Sequence, residues 1–208
     1  EAPLCLEIVK ADGCRLFDVN GNEFIDLIGG ISVCNIGHRQ PKVIEAIKEQ
    51  LNDYLHIMVY GELVQSPQVK YARLLTEHLP ATLNSVFFTA SGSEATEGAM
   101  KLAKRFTNRA QIISFKNSYH GSTQGALSVM GSEYWQQAYR PLLPGVLQMS
   151  YNDFADLENI TESTACVIAE TIRAEAGVLV PQNGWLAALR KKCTYTGTLL
   201  ILDEIQCG

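Results

Sequence analysis

The sequence predicts an α/β protein: a mainly parallel sheet with helices on both faces, preceded by a small antiparallel meander. From Asn84 onward, short apolar runs at 86–89, 111–115, 146–150, 165–169 and 198–202 alternate with helical patterns near 93–107, 122–131, 153–162 and 184–195. Such alternation implies crossover connections and a parallel sheet. Thr89-Ala90-Ser91-Gly92-Ser93-Glu94-Ala95 follows the apolar run Val86-Phe87-Phe88 and leads into Ala99, Leu102, Ala103 and Phe106 at helical spacing. It reads as strand, glycine turn and helix start. Leu199-Leu200-Ile201-Leu202 ends in Asp203-Glu204, the pattern of a buried parallel strand with acids at its carboxyl end, where open α/β sheets place ligand sites.

Residues 7–28 alternate apolar and polar positions around two turn signals, Ala11-Asp12-Gly13 and Asn20-Gly21. The Asn-Gly step is a strong hairpin cue, so a meander is expected. After Gly37-His38-Arg39-Gln40, Pro41 opens a helix with Val43, Ile44, Ile47 and Leu51 on one face. A second helix, from about Pro67 to Leu79, is expected to bury Val69, Ala72, Leu75 and Leu79. No repeat, low-complexity tract or linker interrupts the chain. The expected division is therefore an N-terminal meander segment over 1–40 and a sheet domain over 41–208.

The 208 residues suffice for one large core, and 47% hydrophobic content with net charge −5 fits a soluble globular protein. Lysines and arginines are scattered, with no basic stripe interleaved with aromatics, so nothing favours nucleic acid. No apolar run reaches bilayer length and no signal peptide is visible, although a leader could precede Glu1. Six cysteines at irregular spacing, without a C-x-x-C pair, argue for reduced thiols and a cytoplasmic location rather than a disulfide framework or zinc site. Cys34 and Cys166 sit in apolar surroundings as small buried hydrophobes. His38, His56 and His78 have no companion at metal-ligand spacing and read as turn or surface residues. Asn159-Ile160-Thr161 is a glycosylation sequon by spelling only.

Three stretches carry chemistry. Ser91 with Glu94 spells a capping box, which alone marks a helix start. A second reading has Gly92 admit close approach of a ligand while the Ser93 and Glu94 N–H groups face a phosphate. Tyr119, in Lys116-Asn117-Ser118-Tyr119-His120-Gly121-Ser122-Thr123, either offers its ring to a flat cofactor or plugs a helix start; Gly121 permits the turn that presents it. Asp203 could end the magnesium-holding strand of a P-loop ATPase, but the required G-x-x-x-x-G-K-[ST] loop is absent. The alternative is an acid that pairs with a protonated pyridine nitrogen. A phosphate, a ring to stack on and a ring nitrogen to protonate together specify pyridoxal phosphate. G-x-G-x-x-G, G-x-S-x-G and H-E-x-x-H are all absent.

These motifs resemble those of the class III, fold-type I pyridoxal-phosphate aminotransferases, the group with acetylornithine, ornithine and 4-aminobutyrate aminotransferases. The resemblance runs through Asp18-Val19-Asn20-Gly21, Gly30-Ile31-Ser32-Val33 with Gly37-His38 and Pro41, Ser91 to Ala95, Tyr119-His120-Gly121, Glu170 to Gly177, and Asp203-Glu204-Ile205-Gln206. It implies that Gly92 and Ser93 bind the cofactor phosphate, Tyr119 stacks on the ring, Asp203 pairs with the pyridine nitrogen and Gln206 lies near the ring hydroxyl. Glu175 resembles the acid that masks a substrate-binding arginine further along. The implied reaction is transamination at a terminal amine with 2-oxoglutarate as acceptor, in a homodimer. A decarboxylase or aminomutase on the same scaffold, or a non-catalytic cofactor-binding fragment, are the alternatives.

Three departures from the family pattern stand out. Glu170-Thr171-Ile172-Arg173-Ala174-Glu175 keeps both acids of the common Glu-Pro-Ile-Gln-Gly-Glu but sets Arg173 beside the site. Ser122 stands where acetylornithine and ornithine enzymes usually carry an arginine that grips the substrate carboxylate, a grip serine cannot form. The family's Schiff-base lysine follows Asp-Glu-Ile-Gln, beyond Gly208, so an N-terminal portion of such an enzyme is expected, without its covalent anchor, its C-terminal part and its substrate arginine.

Overall fold

The computed structural model describes residues 4–58 and 61–208. Two compact units emerge, one running up to Val86 and one from Phe87. Helices at 41–53 and 66–77 lie in the first, whereas the expected division at residue 40 assigned them to the second.

The first unit opens with the antiparallel sheet β1 (Ile8–Asp12), β2 (Arg15–Asp18) and β3 (Glu23–Ile25), in that order. The Asn-Gly cue is realised through Asp18: its Oδ1 accepts from the Asn20 and Asn22 N–H groups at 2.9 and 2.8 Å, while Gly21 takes a φ of +81°. A short turn, α1 (Gly29–Ser32), precedes α2 (Pro41–Asp53) and α3 (Ser66–Glu77). Pro41 occupies the first turn of α2, and the Gln40 side chain caps it by accepting from Val43 N–H at 2.9 Å. Both helices have the expected apolar stripes, but neither buries a residue: Val69 is 48% exposed, and Ala72, Leu75 and Leu79 are only half-buried. A stripe is buried only against an opposing apolar surface, and these helices meet too little of one.

The second unit comprises α4 (Gly92–Thr107), β4 (Gln111–Phe115), α5 (Gln124–Ser128), α6 (Glu133–Gln136), β5 (Val146–Met149), β6 (Thr164–Glu170), α7 (Trp185–Thr196) and β7 (Leu199–Asp203). Its sheet has the order β5-β4-β6-β7 and every pairing is parallel. The strand period of two sorts side chains onto two cores. Ile113, Phe115, Val167 and Ala169 pack with Trp185, Leu189 and Cys193 of α7, while Ile112, Cys166 and Ile168 pack with Met100 and Ala103 of α4. All seven residues of β6 are buried, as befits a strand covered on both faces.

Four expectations are corrected. Residues 86–89 form no strand: the sheet ends at β7, and Phe87 is 85% exposed. Among the described residues β7 has a partner strand on one side only, and it is half-buried rather than buried. The helix expected over 122–131 stops at Ser128, because Gln136 Nε2 donates to the carbonyls of Leu127 and Met130 at 2.9 and 2.8 Å, and Gly131 N–H turns to the Ser118 carbonyl at 3.0 Å. Over 153–162 only a 3₁₀ turn, Asp156–Asn159, forms. There Asp153 and Asp156 bind the Ala155 and Ser150 N–H groups at 2.9 and 2.6 Å, drawing the backbone away from a helical ladder.

Cys166 is buried as expected and Cys34 half-buried; all six cysteines are free. Burial pushes the Cys166 thiol up to about 12 and that of Cys193 up to about 11. No helix among the described residues is long and apolar enough to cross a membrane.

Trp185 is fully buried, with its ring centroid 5.3 Å from Phe115 and 4.4 Å from Tyr151. Trp185→Ala is expected to destabilise this unit by about 3–5 kcal/mol, read as a lower denaturation midpoint. In the first unit, Asp18 and Asp26 are held below the carboxylate value of 3.8, Asp18 chiefly by the Asn22 side chain and Asp26 chiefly by His38, 2.7 Å away. A lowered carboxyl stabilises the fold above its unfolded value and loses that effect as pH falls through the folded one. Amide-exchange protection at Asn22 and Gly29, whose N–H groups these carboxylates accept, is expected to decline below pH 3.8.

Candidate active site

Parallel strands deliver their carboxyl ends to one edge of the sheet, and the second unit has a cleft of about 250 Å³ there. Asp203 closes β7 and lies in register beside Glu170, which closes β6. The segment after β4 brings Tyr119, His120 and Gly121 to the same place, and α4 brings Ser91, Gly92 and Ser93. The cleft is thus lined by Gly92, Ser93, Tyr119, Glu175, Asp203 and Gln206, all six residues singled out from the sequence, together with His120 and Glu170.

The start of α4 is built as its spelling suggests. Ser91 Oγ accepts from Glu94 N–H at 3.2 Å, and Glu94 Oε2 accepts in return from Ala90 N–H at 2.8 Å, one residue earlier than a capping box specifies. A side chain at Gly92 would press on the Ile205 methyl, 2.7 Å from an added Cβ. Gly121 has a φ of +118°, and a Cβ there would lie 2.9 Å from Ser93 Cα. The turn behind Tyr119 therefore requires glycine twice over, for its dihedral and for its approach to α4.

α4 also holds that turn from beneath. Ser93 Oγ accepts from Ser122 N–H at 3.2 Å and Thr96 Oγ1 donates to the His120 carbonyl at 3.0 Å. Glu97 Oε1 accepts from Thr123 Oγ1 and Gly125 N–H, both at 2.8 Å. Tyr119 itself is 44% exposed and lines the cleft, so it is no plug in the core.

Asp203 has 8% of its side chain exposed, and its Oδ2 meets His120 Nδ1 at 2.7 Å; the imidazole is wholly buried. Glu170 is also buried, and burial raises its carboxyl above 4.5, an effect that Asp203 adds to while His120 and Arg173 oppose it. Gln206 Nε2 reaches Glu175 Oε1 at 3.5 Å across the cleft mouth. Arg173 does not face the cleft: it donates to the Lys116 carbonyl and lies 4.9 Å over the Tyr151 ring. The charge expected beside the site is thus turned into the fold.

The sequence model of the family described as Aminotransferase class-III matches residues 1–208. The chain belongs to the class III aminotransferases. It is 43% identical over 204 residues to the acetylornithine aminotransferase of Methanopyrus kandleri, covering 97% of this chain and 51% of that protein. Among solved structures, adenosylmethionine-8-amino-7-oxononanoate aminotransferase from Methanocaldococcus jannaschii superposes with a TM-score of 0.93 at 31% identity, over 99% of this chain and 50% of that one. The ornithine aminotransferase of Toxoplasma gondii, which holds PLP at partial occupancy, gives 0.91 at 30% identity, over 100% and 50%. The chain spans about half the length of the curated relatives it matches.

In this class III aminotransferase chain, His120 and Glu170 join the cleft without a role assigned to them by the sequence motifs. Both carried a signal: His120 sits inside the Tyr-His-Gly motif, and Glu170 directly follows an apolar run, as Asp203 does. Gly121→Ala is expected to destabilise the fold by about 1–3 kcal/mol through its φ alone and to displace Tyr119. Equilibrium unfolding, with the near-ultraviolet dichroism of the native state, measures both.

Proposed function

We propose that this chain forms the cofactor bed of a pyridoxal-phosphate-dependent aminotransferase that works on a terminal amine with 2-oxoglutarate as acceptor. The supporting observation is the buried Asp203 carboxylate, which lines one cleft with the glycine-opened start of α4 and the exposed ring of Tyr119. The residues fit the cofactor. Gly92 and Gly121 keep side chains out of the phosphate end, and the first N–H groups of a 16-residue helix favour an anion. Asp203, an acceptor fixed by His120, suits a protonated ring nitrogen. When bound, the cofactor acts as an electron sink for the substrate carbon.

Each residue then has a task. Gly92 and Ser93 hold the phosphate, Tyr119 covers one ring face, Asp203 keeps the ring nitrogen protonated and Gln206 sits by the ring hydroxyl. Glu175 occupies the place from which it would mask a substrate arginine supplied further along the intact enzyme. That enzyme is proposed to be a homodimer of the cytoplasm. Ser122, exposed and tied to Ser93 through its backbone N–H, leaves the carboxylate of N-acetylornithine without a bidentate partner.

The intact protein that contains this chain is expected to show an amine-linked cofactor absorbance that borohydride bleaches, and to transfer nitrogen from a terminal-amine donor to 2-oxoglutarate. Asp203→Ala is expected to lower turnover at least about 100-fold, since the ring nitrogen would lose the acid that keeps it protonated and the electron sink would weaken. Release of carbon dioxide, or nitrogen retained in the product, would overturn the reading in favour of a decarboxylase or an aminomutase. Absence of the absorbance would leave a non-catalytic fragment. Ser122→Arg is expected to lower KM for N-acetylornithine about tenfold by restoring a charge-assisted contact.

A further inference from the structure

Beyond β6 the chain doubles back on itself. Arg173 and Leu179 exchange backbone hydrogen bonds, each N–H reaching the other's carbonyl at 3.0 Å. They close a turn over 174–178 in which the Gly177 and Val178 N–H groups both meet the Ala174 carbonyl at 3.1 Å. This turn carries Glu175 into the lining of the cleft, where Gln206 Nε2 lies 3.5 Å from its Oε1. It is also strained. Val178, a β-branched residue, has a φ of +56°, a conformation that costs about 1–3 kcal/mol and persists only where the surroundings enforce it.

The base of the turn is where it is held. Arg173 is 5% exposed, and its guanidinium donates to the carbonyl of Lys116, in the segment that leads from β4 to Tyr119. The same guanidinium lies 4.9 Å over the Tyr151 ring, whose hydroxyl donates to the Glu170 carbonyl at 3.1 Å just before the turn. Just after the turn, Asn152 Oδ1 accepts from the Gln182 N–H at 2.8 Å. Tyr151 and Asn152 thus grip the chain on both sides, and Arg173 ties the closing pair to them. A charged donor and a ring contact both gain strength when removed from water. We propose that Arg173 is a positioning residue: it latches the turn over 174–178 to the segment that leads to Tyr119, and so sets where Glu175 stands in the cleft. Its role rests on the cofactor reading for what Glu175 does there, and adds the device that holds it.

Two measurements on the intact protein test the latch. Amide exchange needs no cofactor. Arg173→Gln, neutral and shorter, is expected to speed exchange at the Leu179 N–H at least about tenfold while β6 keeps its protection; unchanged exchange at Leu179 overturns the proposal. Where that variant fails to fold, Arg173→Lys decides: it keeps a cation able to donate to the Lys116 carbonyl and is expected to protect Leu179, and exchange there as fast as at a freely exposed amide overturns the proposal. In the cofactor-loaded protein, Arg173→Gln and Glu175→Gln are each expected to lower kcat/KM for a terminal-amine donor about tenfold, and the double variant no further, since both act through one carboxylate. Losses that multiply overturn the role, because general loosening of the fold produces that pattern. If no amine-linked absorbance forms, the cofactor reading falls and exchange at Leu179 alone judges the latch. If the absorbance forms and the losses multiply, only the role of Arg173 falls.

Discussion

The hydrogen bond between His120 and Asp203 joins the carboxyl ends of β4 and β7, two strands that never touch because β6 lies between them. Backbone ladders set the spacing of neighbouring strands and say nothing about a second-neighbour pair. A side-chain link across that gap therefore fixes what the sheet alone leaves free: the position of the loop after β4 relative to the acid on β7. Both partners are buried, so the contact works in a medium where a misplaced partner is penalised more than in water. Removing it would free the loop that carries Tyr119 from the acid facing it.

The same loop is fixed from its other side by α4. Ser93, Thr96 and Glu97 fall on one face of the helix, at spacings of three and four residues, and each takes a different part of the segment from His120 to Ala126. The helix whose N-terminus would meet an anion is thus also the platform for the aromatic ring. The start of α4, the turn that carries Tyr119 and the Asp203 carboxylate are thus tied to one another, which reduces the ordering that ligand binding must impose.

How much of this was legible in the sequence follows from the range of each interaction. β4, β6, β7, α4 and α7 were readable because their apolar periods are local and each finds an apolar surface in one of the two cores. Residues 86–89 and the stripes of α2 and α3 carry the same signal, yet the first form no strand and the second stay exposed, because periodicity records what a segment is fit to pair with and not whether a partner arrives. The shortened helices over 122–131 and 153–162 failed for another reason: side chains of Gln136, Asp153 and Asp156 take over backbone groups that a helix needs. In the site, Gly92, Tyr119 and Asp203 stood in recognisable motifs. The pairing of His120 with Asp203 spans 83 positions, and no local pattern announces it.

The charged side chains around the cleft are all of one sign. Its lining holds three carboxylic residues, Glu170, Glu175 and Asp203, and no lysine or arginine. Arg173, the one arginine that the sequence placed nearby, is 5% exposed and engaged with a backbone carbonyl and the Tyr151 ring. It offsets the Glu170 charge from within the fold and is not available to a ligand. A cleft with this lining offers an incoming anion no side-chain cation. Among the described residues, then, the side chains of the cleft supply carboxyl groups and no lysine or arginine, so the field they set up there is aimed at cations.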